Sequence, residues 1–314
     1  VIDEIWAARR RIAEATRRTP LVPLEGAGGK GAVWLKLENL QRGGSYKIRG
    51  LYNRIARVAG DVAARGAKTV SAGNAAIAAA LACREIGASL EVLMPEGASE
   101  LKIAAVRSLG GTVVQRPSRD IMEYLAAEGW REESRFFVHP FDHPDVWAGH
   151  GTCGLEVLEQ LPGVKAVVVP IGGGGLVSGV AAAVKELAPD VKVVGAQAAA
   201  VAPWVEAVRR GEPYRVENPG TTIADGINVN SVFPGTWAAA GKLIDGCVAV
   251  TEDEIRQAIR LLAAGNRVVA EGAGAVSLAA ALGRELAGLP QPVVAIVSGG
   301  NLDPALLAGI LAAG

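Results

Sequence analysis

One lysine in this chain has neighbours that could make it a nucleophile. The stretch Gly43-Gly44-Ser45-Tyr46-Lys47-Ile48-Arg49-Gly50 places Lys47 between an aromatic and an aliphatic residue, after two glycines and before an apolar-periodic run. Glycines admit a close backbone approach, and bulky neighbours strip water from an ammonium, which favours the neutral amine. A neutral lysine amine can form a Schiff base with a carbonyl. Taken alone, the same residues also suit a surface lysine at a loop-to-helix junction, because most lysines are solvated.

Three further turns could hold charged groups. Gly172-Gly173-Gly174-Gly175 follows the apolar run Val164 to Pro170 and opens a helical pattern at Leu176. Consecutive glycines at the positive end of a helix dipole present bare N–H groups, which suits a phosphate. No Lys-Ser/Thr pair follows, which speaks against a Walker-type triphosphate loop, and the G-x-G-x-x-G register of a dinucleotide site is missing. Ser71-Ala72-Gly73-Asn74 also lies between a strand and a helix, and offers N–H donors and two polar side chains to a carboxylate. Ser298-Gly299-Gly300-Asn301 ends the last strand with a hydroxyl that could meet a ring nitrogen. Each of the three is also an everyday turn.

The elements around them read as alternating strands and helices. An amphipathic helix over residues 2–17 ends at Thr19-Pro20, a strand follows at Val33 to Glu38, and a helix is expected from Ile48 to Val58. Strands at Ala67 to Ser71, Ser89 to Met94 and Thr112 to Val114 alternate with helices at Ala75 to Gly87 and Lys102 to Leu109. Ile121 to Ala127 is weakly helical and Phe136 to Val138 a brief strand. The later half has strands at Val164 to Pro170, Val191 to Ala196, Val248 to Thr251 and Pro292 to Ser298. Between them come helices at Leu176 to Leu187, Ala202 to Arg210, Glu252 to Ala264 and Ala275 to Leu286, with a short apolar piece at Val268 to Glu271. Glycine at the seams of such a pattern argues for parallel βαβ units, and hence an α/β fold of two open, mostly parallel twisted sheets with helices on both faces. Ligands in these folds bind beyond the carboxyl ends of the strands, where the glycine turns fall.

Composition excludes other classes. With 314 residues, half of them hydrophobic, the chain can bury a large core, and residues 61–145 could form a compact unit of their own. Lys+Arg and Asp+Glu balance at 32 each, so no global field points to nucleic acid. Cys83, Cys153 and Cys247 show neither metal nor redox spacing and read as reduced core residues. The start of the chain lacks the apolar core of a signal peptide, and no apolar run reaches a membrane-spanning length, so a cytoplasmic location is expected.

Together the four motifs, in this order, resemble the fold-type II (tryptophan-synthase-β-like) pyridoxal-phosphate enzymes, and within them are most similar to the threonine/serine dehydratase and serine racemase family. The lysine segment resembles that family's Ser-Phe-Lys-Ile-Arg-Gly. Further similar pieces are Lys36-Leu37-Glu38-Asn39, His139-Pro140-Phe141-Asp142, Gly151-Thr152 with Gly154-Leu155-Glu156, Thr222-Ile223-Ala224-Asp225-Gly226, and Glu271 with Gly274-Ala275. The resemblance implies pyridoxal 5'-phosphate as cofactor, with Lys47 carrying it as a Schiff base and abstracting the substrate's α-proton. It implies that Gly172, Gly173, Gly174 and Gly175 hold the phosphate, Asn74 bonds the ring hydroxyl and Ser298 the pyridine nitrogen. Ser71, Ala72, Gly73 and Asn74 then receive the substrate α-carboxylate. A serine leaves the pyridine neutral, so expulsion of a β-substituent is the natural outlet. The implied reaction is β-elimination of a small 3-hydroxy amino acid, such as L-threonine or L-serine, to a 2-oxo acid and ammonia. Residues 1–60 and 146–314 are expected to form a large cofactor-binding domain and 61–145 a small substrate-closing one, in a homodimer or homotetramer.

The chain departs from the family in several places. Asn74 is followed by Ala75-Ala76-Ile77 where dehydratases usually have His-Ala-Gln, which implies a less polar, roomier wall. Ala72 stands where serine racemases carry an opposite-face serine, which speaks against racemisation. Gln197 and Ala198 to Ala200 replace an acidic cluster, so no structural metal is expected there. His139, His143 and His150 tempt a metal reading, but Pro140 and Pro144 are expected to break any shared helix. His150 replaces a frequent glutamine near the expected hinge and is a candidate to touch substrate. The chain ends thirteen residues after Asn301, so no appended regulatory domain is expected. The rival readings are β-replacement of the cysteine or threonine synthase kind, disfavoured by Ile48 and the Thr222 to Gly226 segment, a serine racemase-like enzyme, disfavoured by Ala72, and, more remotely, a catalytically silent ligand-binding relative, against which Lys47 weighs.

Overall fold

The computed structural model describes residues 1–26 and 32–313. Ten strands occur among the described residues: β1 (Leu21–Pro23), β2 (Val33–Leu37), β3 (Ala67–Val70), β4 (Leu90–Pro95), β5 (Thr112–Arg116), β6 (Phe136–Phe137), β7 (Ala166–Pro170), β8 (Lys192–Ala198), β9 (Gly246–Val250) and β10 (Val293–Val297). They form a six-stranded sheet in the order β1-β2-β10-β7-β8-β9 and a four-stranded sheet in the order β5-β4-β3-β6. Every pairing is parallel except β1 with β2. The fold is therefore α/β with two mostly parallel sheets, as the alternating pattern predicts.

Burial explains which strands are plain in the sequence. All five residues of β7 and of β10 are buried, because helices cover both faces of a parallel sheet, and both strands read as unbroken apolar runs. Short, half-exposed β1 carries no such signal. The apolar piece at Val268 to Glu271 is not a strand; the chain there leads into the helix Gly272–Leu282.

The main correction concerns Pro144. Expected to break a helix, it occupies the first turn of one, Pro144–Gln160, where its missing N–H is no loss. His143 caps this helix by accepting from Asp145 N at 3.1 Å. Its glycines weaken the helical pattern but serve packing. A Cβ on Gly149 would overlap Arg49 O, and one on Gly151 would stand 3.0 Å from Gly179 O, so this helix meets the helices Lys47–Arg57 and Gly175–Leu187 backbone to backbone.

Among the described residues no helix is long and apolar enough to cross a membrane. Within the same residues no cluster of three or more His, Cys, Asp or Glu could hold a metal. The three cysteines are free, and burial pushes the Cys83 thiol up to about 12.

Candidate active site

Lys47 is the first residue of the helix Lys47–Arg57, and two glycines in left-handed conformation aim it. Gly43 (φ 74°) and Gly44 (φ 75°) turn the chain there, a conformation that disfavours residues with a Cβ. The turn is pinned to the end of β10 by a bridge between Ser45 and Gly299 and by the Tyr46 N–H, which donates to Ser298 O at 3.0 Å.

Beneath this helix lies a buried charge cluster. Arg49 donates from Nε to Glu38 Oε2 at 2.7 Å and from Nη2 to Glu38 Oε1 at 2.8 Å. The same guanidinium reaches Glu156 Oε1 and Oε2, both at 2.8 Å, and Lys36 Nζ adds a 2.5 Å bond to Glu156 Oε2. Burial pushes the Glu38 carboxyl up, but Arg49, Lys36 and the Thr19 hydroxyl together bring it below the usual carboxylate range.

Lys47 opens onto a cleft of about 390 Å³ that Ser71, Ala72, Gly73, Asn74, Ala75 and Gly173 also line. The turn after β3 is held by Ser71 Oγ, which accepts from Gly73 N at 3.1 Å. Gly73 is needed for space: a Cβ there would overlap the Lys102 side chain. Asn74 Nδ2 donates to Glu271 Oε1 at 2.5 Å, while Asn74 Oδ1 accepts from Asn301 Nδ2 at 2.8 Å. Both ends of that amide are thereby oriented.

The four glycines follow β7, and Gly174 (φ 95°) caps the helix Gly175–Leu187. They form a cradle that side chains would fill. A Cβ on Gly172 would stand 3.0 Å from Ile227 Cα, one on Gly173 2.5 Å from the Phe141 ring, and one on Gly175 2.7 Å from Phe141 O. Of the four, Gly173 faces the cleft. Ser298 follows β10, buried and outside the residues that line the cleft, and among the described residues its hydroxyl makes only a 3.4 Å contact to Ala273 O, so it is weakly committed within the chain.

Two sequence expectations change here. His150 lies outside the cleft lining; it is fully buried against Tyr46. In the stretch Ala75 to Ile77 only Ala75 borders the cleft, because Ala76 and Ile77 turn into the core under the small sheet. The altered wall is thus one methyl group wide. The other histidines are spent on the backbone, His139 Nδ1 accepting from Asp142 N at 2.8 Å as His143 does from Asp145.

Sequence alone gives no role to Lys102 and Asp225, which also line the cleft, or to Glu271 buried behind them. Lys102 Nζ pairs with Asp225 Oδ2 at 2.6 Å and stands 3.6 Å from Glu271 Oε2, the latter too long for a hydrogen bond. Burial pushes the Glu271 carboxyl up to about 7, against the pull of Lys102. Asp225 and Glu271 lie in motifs already singled out, but nothing local marks Lys102.

The chain as a whole falls in a known class. Residues 12–299 match the family of pyridoxal-phosphate dependent enzymes, and the chain belongs to it. Within that family it is a fold-type II enzyme of the threonine/serine dehydratase and serine racemase group. It is 42% identical over 308 residues to L-threonine ammonia-lyase of Thermotoga maritima, covering 96% of this chain and 76% of that protein. The solved threonine deaminase of T.th. superposes with a TM-score of 0.89 at 37% identity, over 96% of this chain and 98% of the other. Maize serine racemase superposes with a TM-score of 0.90 at 31% identity, over 99% and 97%. The cofactor of the family is pyridoxal 5'-phosphate. The residues in and around the cleft suit that group: an amine and Gly173 on its lining, a glycine cradle with no room for side chains, and, behind the lining, a buried hydroxyl with little else to bond.

Proposed function

We propose that the protein is an ammonia-lyase that removes water from a small 3-hydroxy amino acid, L-threonine or L-serine, to give an enamine, which water then hydrolyses to a 2-oxo acid and ammonia. The observation that carries this reading is the meeting of Lys47, the Ser71 to Asn74 turn and Gly173 of the tetraglycine at one cleft.

In this reading Lys47 Nζ would hold the cofactor as a Schiff base, and its free amine would take the proton from the substrate's Cα. When bound, the cofactor supplies the electron sink that makes this proton acidic. The N–H groups of Gly172 to Gly175, at the head of a helix, hold the phosphate. Ser298 Oγ would bond the ring nitrogen as a neutral hydroxyl, with no charge to hold a proton there, which would favour loss of the β-hydroxyl. Asn74, its amide held by Glu271 and Asn301, keeps its remaining N–H for the ring hydroxyl. The turn from Ser71 to Asn74 receives the α-carboxylate on its N–H groups, and the unit of residues 61–145 closes over the bound substrate.

Racemisation needs a proton donor on the face opposite Lys47. Ala72, which lines the cleft at the position of the racemase serine, offers only a methyl group. The test is release of 2-oxo acid from L-threonine, L-serine and bulkier 3-hydroxy amino acids by the cofactor-loaded protein. Release supports the lyase reading. Its absence from all of them, with cofactor still bound, refutes it.

A further inference from the structure

Behind Lys47 lies a polar ring that this reaction does not use. His150 is fully buried in the helix Pro144–Gln160, and neither Nδ1 nor Nε2 has a hydrogen-bond partner among the described residues. A neutral imidazole carries one N–H, so at least one buried donor is stranded, which is destabilising unless something else holds the ring there.

The surroundings show what the ring touches. Gly50, one turn beyond Lys47 on the same helix, makes the room: a Cβ there would stand 2.7 Å from His150 Nε2. The imidazole meets the Tyr46 ring edge to face, with centroids 4.7 Å apart and planes at 62°. Lys47 Nζ lies over the same Tyr46 ring, 5.1 Å from its centroid. Tyr46 therefore joins a buried residue to the cleft lysine, and its own N–H is tied to Ser298 O. Burial, reinforced by Lys47 and Arg49, holds the imidazole well below its ordinary range, so it adds no second cation under the amine. Positions 46 and 150 are also two places where the chain departs from the motifs it resembles, with Tyr for Phe and His for Gln. In the fold the two departures touch.

We propose that His150 is a positioning residue for Lys47, acting through the ring of Tyr46 to hold the amine at the cleft; this rests on Lys47 being the residue that carries the cofactor. An edge-to-face ring contact of this kind corresponds to a factor on the order of three to ten in an equilibrium constant. The test is a double-mutant cycle on the holoenzyme, reading cofactor release on dilution and the absorption maximum of the bound cofactor. His150→Ala is expected to speed release about three- to tenfold and to move the maximum. In a Tyr46→Leu background the same change is expected to do neither. A purely structural histidine would lower Tm alike in both backgrounds and leave the maximum in place. Wild-type release and band in His150→Ala, or an equal loss with and without Tyr46, would overturn the proposal. If His150→Ala does not fold, His150→Gln is read in the same cycle with the same outcomes. Lys47→Ala separates the two readings: a bound-cofactor band that survives it overturns the lysine assignment and this proposal together. Loss of that band beside an unperturbed His150→Ala overturns the role of His150 alone.

Discussion

Replacing Arg49 with leucine should unseat the helix that carries Lys47. The cluster holds two cations, Lys36 and Arg49, against two carboxylates, Glu38 and Glu156, and the most exposed of the four is only 7% accessible. Removing Arg49 leaves two buried carboxylates facing one ammonium and deletes the hydrogen bonds at 2.7 and 2.8 Å to Glu38 and those at 2.8 Å to Glu156. Breaking a buried pair from one side costs about 3–5 kcal/mol, a large part of a total stability of about 5–15 kcal/mol. At about 2 °C per kcal/mol for a chain of this size, Tm should fall by about 6–10 °C. The sign with pH follows from Glu38, whose carboxyl lies below its usual range when folded. Its contribution is present above the unfolded value and is lost as pH falls through the folded one. The gap between wild type and Arg49→Leu should thus be widest near neutrality and narrow in acid. Urea unfolding followed by tryptophan fluorescence and circular dichroism measures it, with Arg119→Leu as control, since that side chain is 84% exposed. A loss below about 1 kcal/mol, no larger than the control's, would refute the reasoning.

Other consequences can be checked with single substitutions. Gly173→Ala puts a methyl group 2.5 Å from the Phe141 ring and, in the proposed reading, into the phosphate cradle, so cofactor affinity in an absorbance titration should fall at least about tenfold, alongside an overpacking loss of about 1–3 kcal/mol. Gly149→Ala drives a methyl group into Arg49 O, and should lower kcat by separating two helices without touching the cleft. Glu271 has a carboxyl raised to about 7 in the fold, so its contribution is full below the unfolded value of 4.5 and is lost as pH rises through 7. The difference corresponds to roughly 3 kcal/mol at most. Urea midpoints between pH 5 and pH 8 should therefore fall more for wild type than for Glu271→Gln, and parallel curves would contradict the burial argument.

How much of this was legible beforehand depended on range. Apolar runs such as β7 and β10 are local and buried on both faces, so pattern alone locates them. The glycine turns are local too, and each sits at a strand end as its neighbours imply. The helix Pro144–Gln160 was hidden because its proline caps rather than breaks and its glycines serve contacts with other helices. Lys102 was hidden because its partner Asp225 is 123 residues away, and no window of sequence reports such a pair. The fragments Lys36 to Asn39, Arg49 and Gly154 to Glu156 were visible as pieces of a resemblance. Only the fold shows that they meet in one buried ion cluster, which explains them as support for Lys47 rather than as chemistry.

The central claim is that Lys47 is the amine that holds the cofactor. Reduction of the holoenzyme with borohydride, followed by digestion and mass spectrometry, fixes the cofactor to whichever lysine carries it. The added mass is expected on the peptide containing Lys47 and on no other. The same mass on the peptide of Lys102, the other lysine lining the cleft, would contradict the claim.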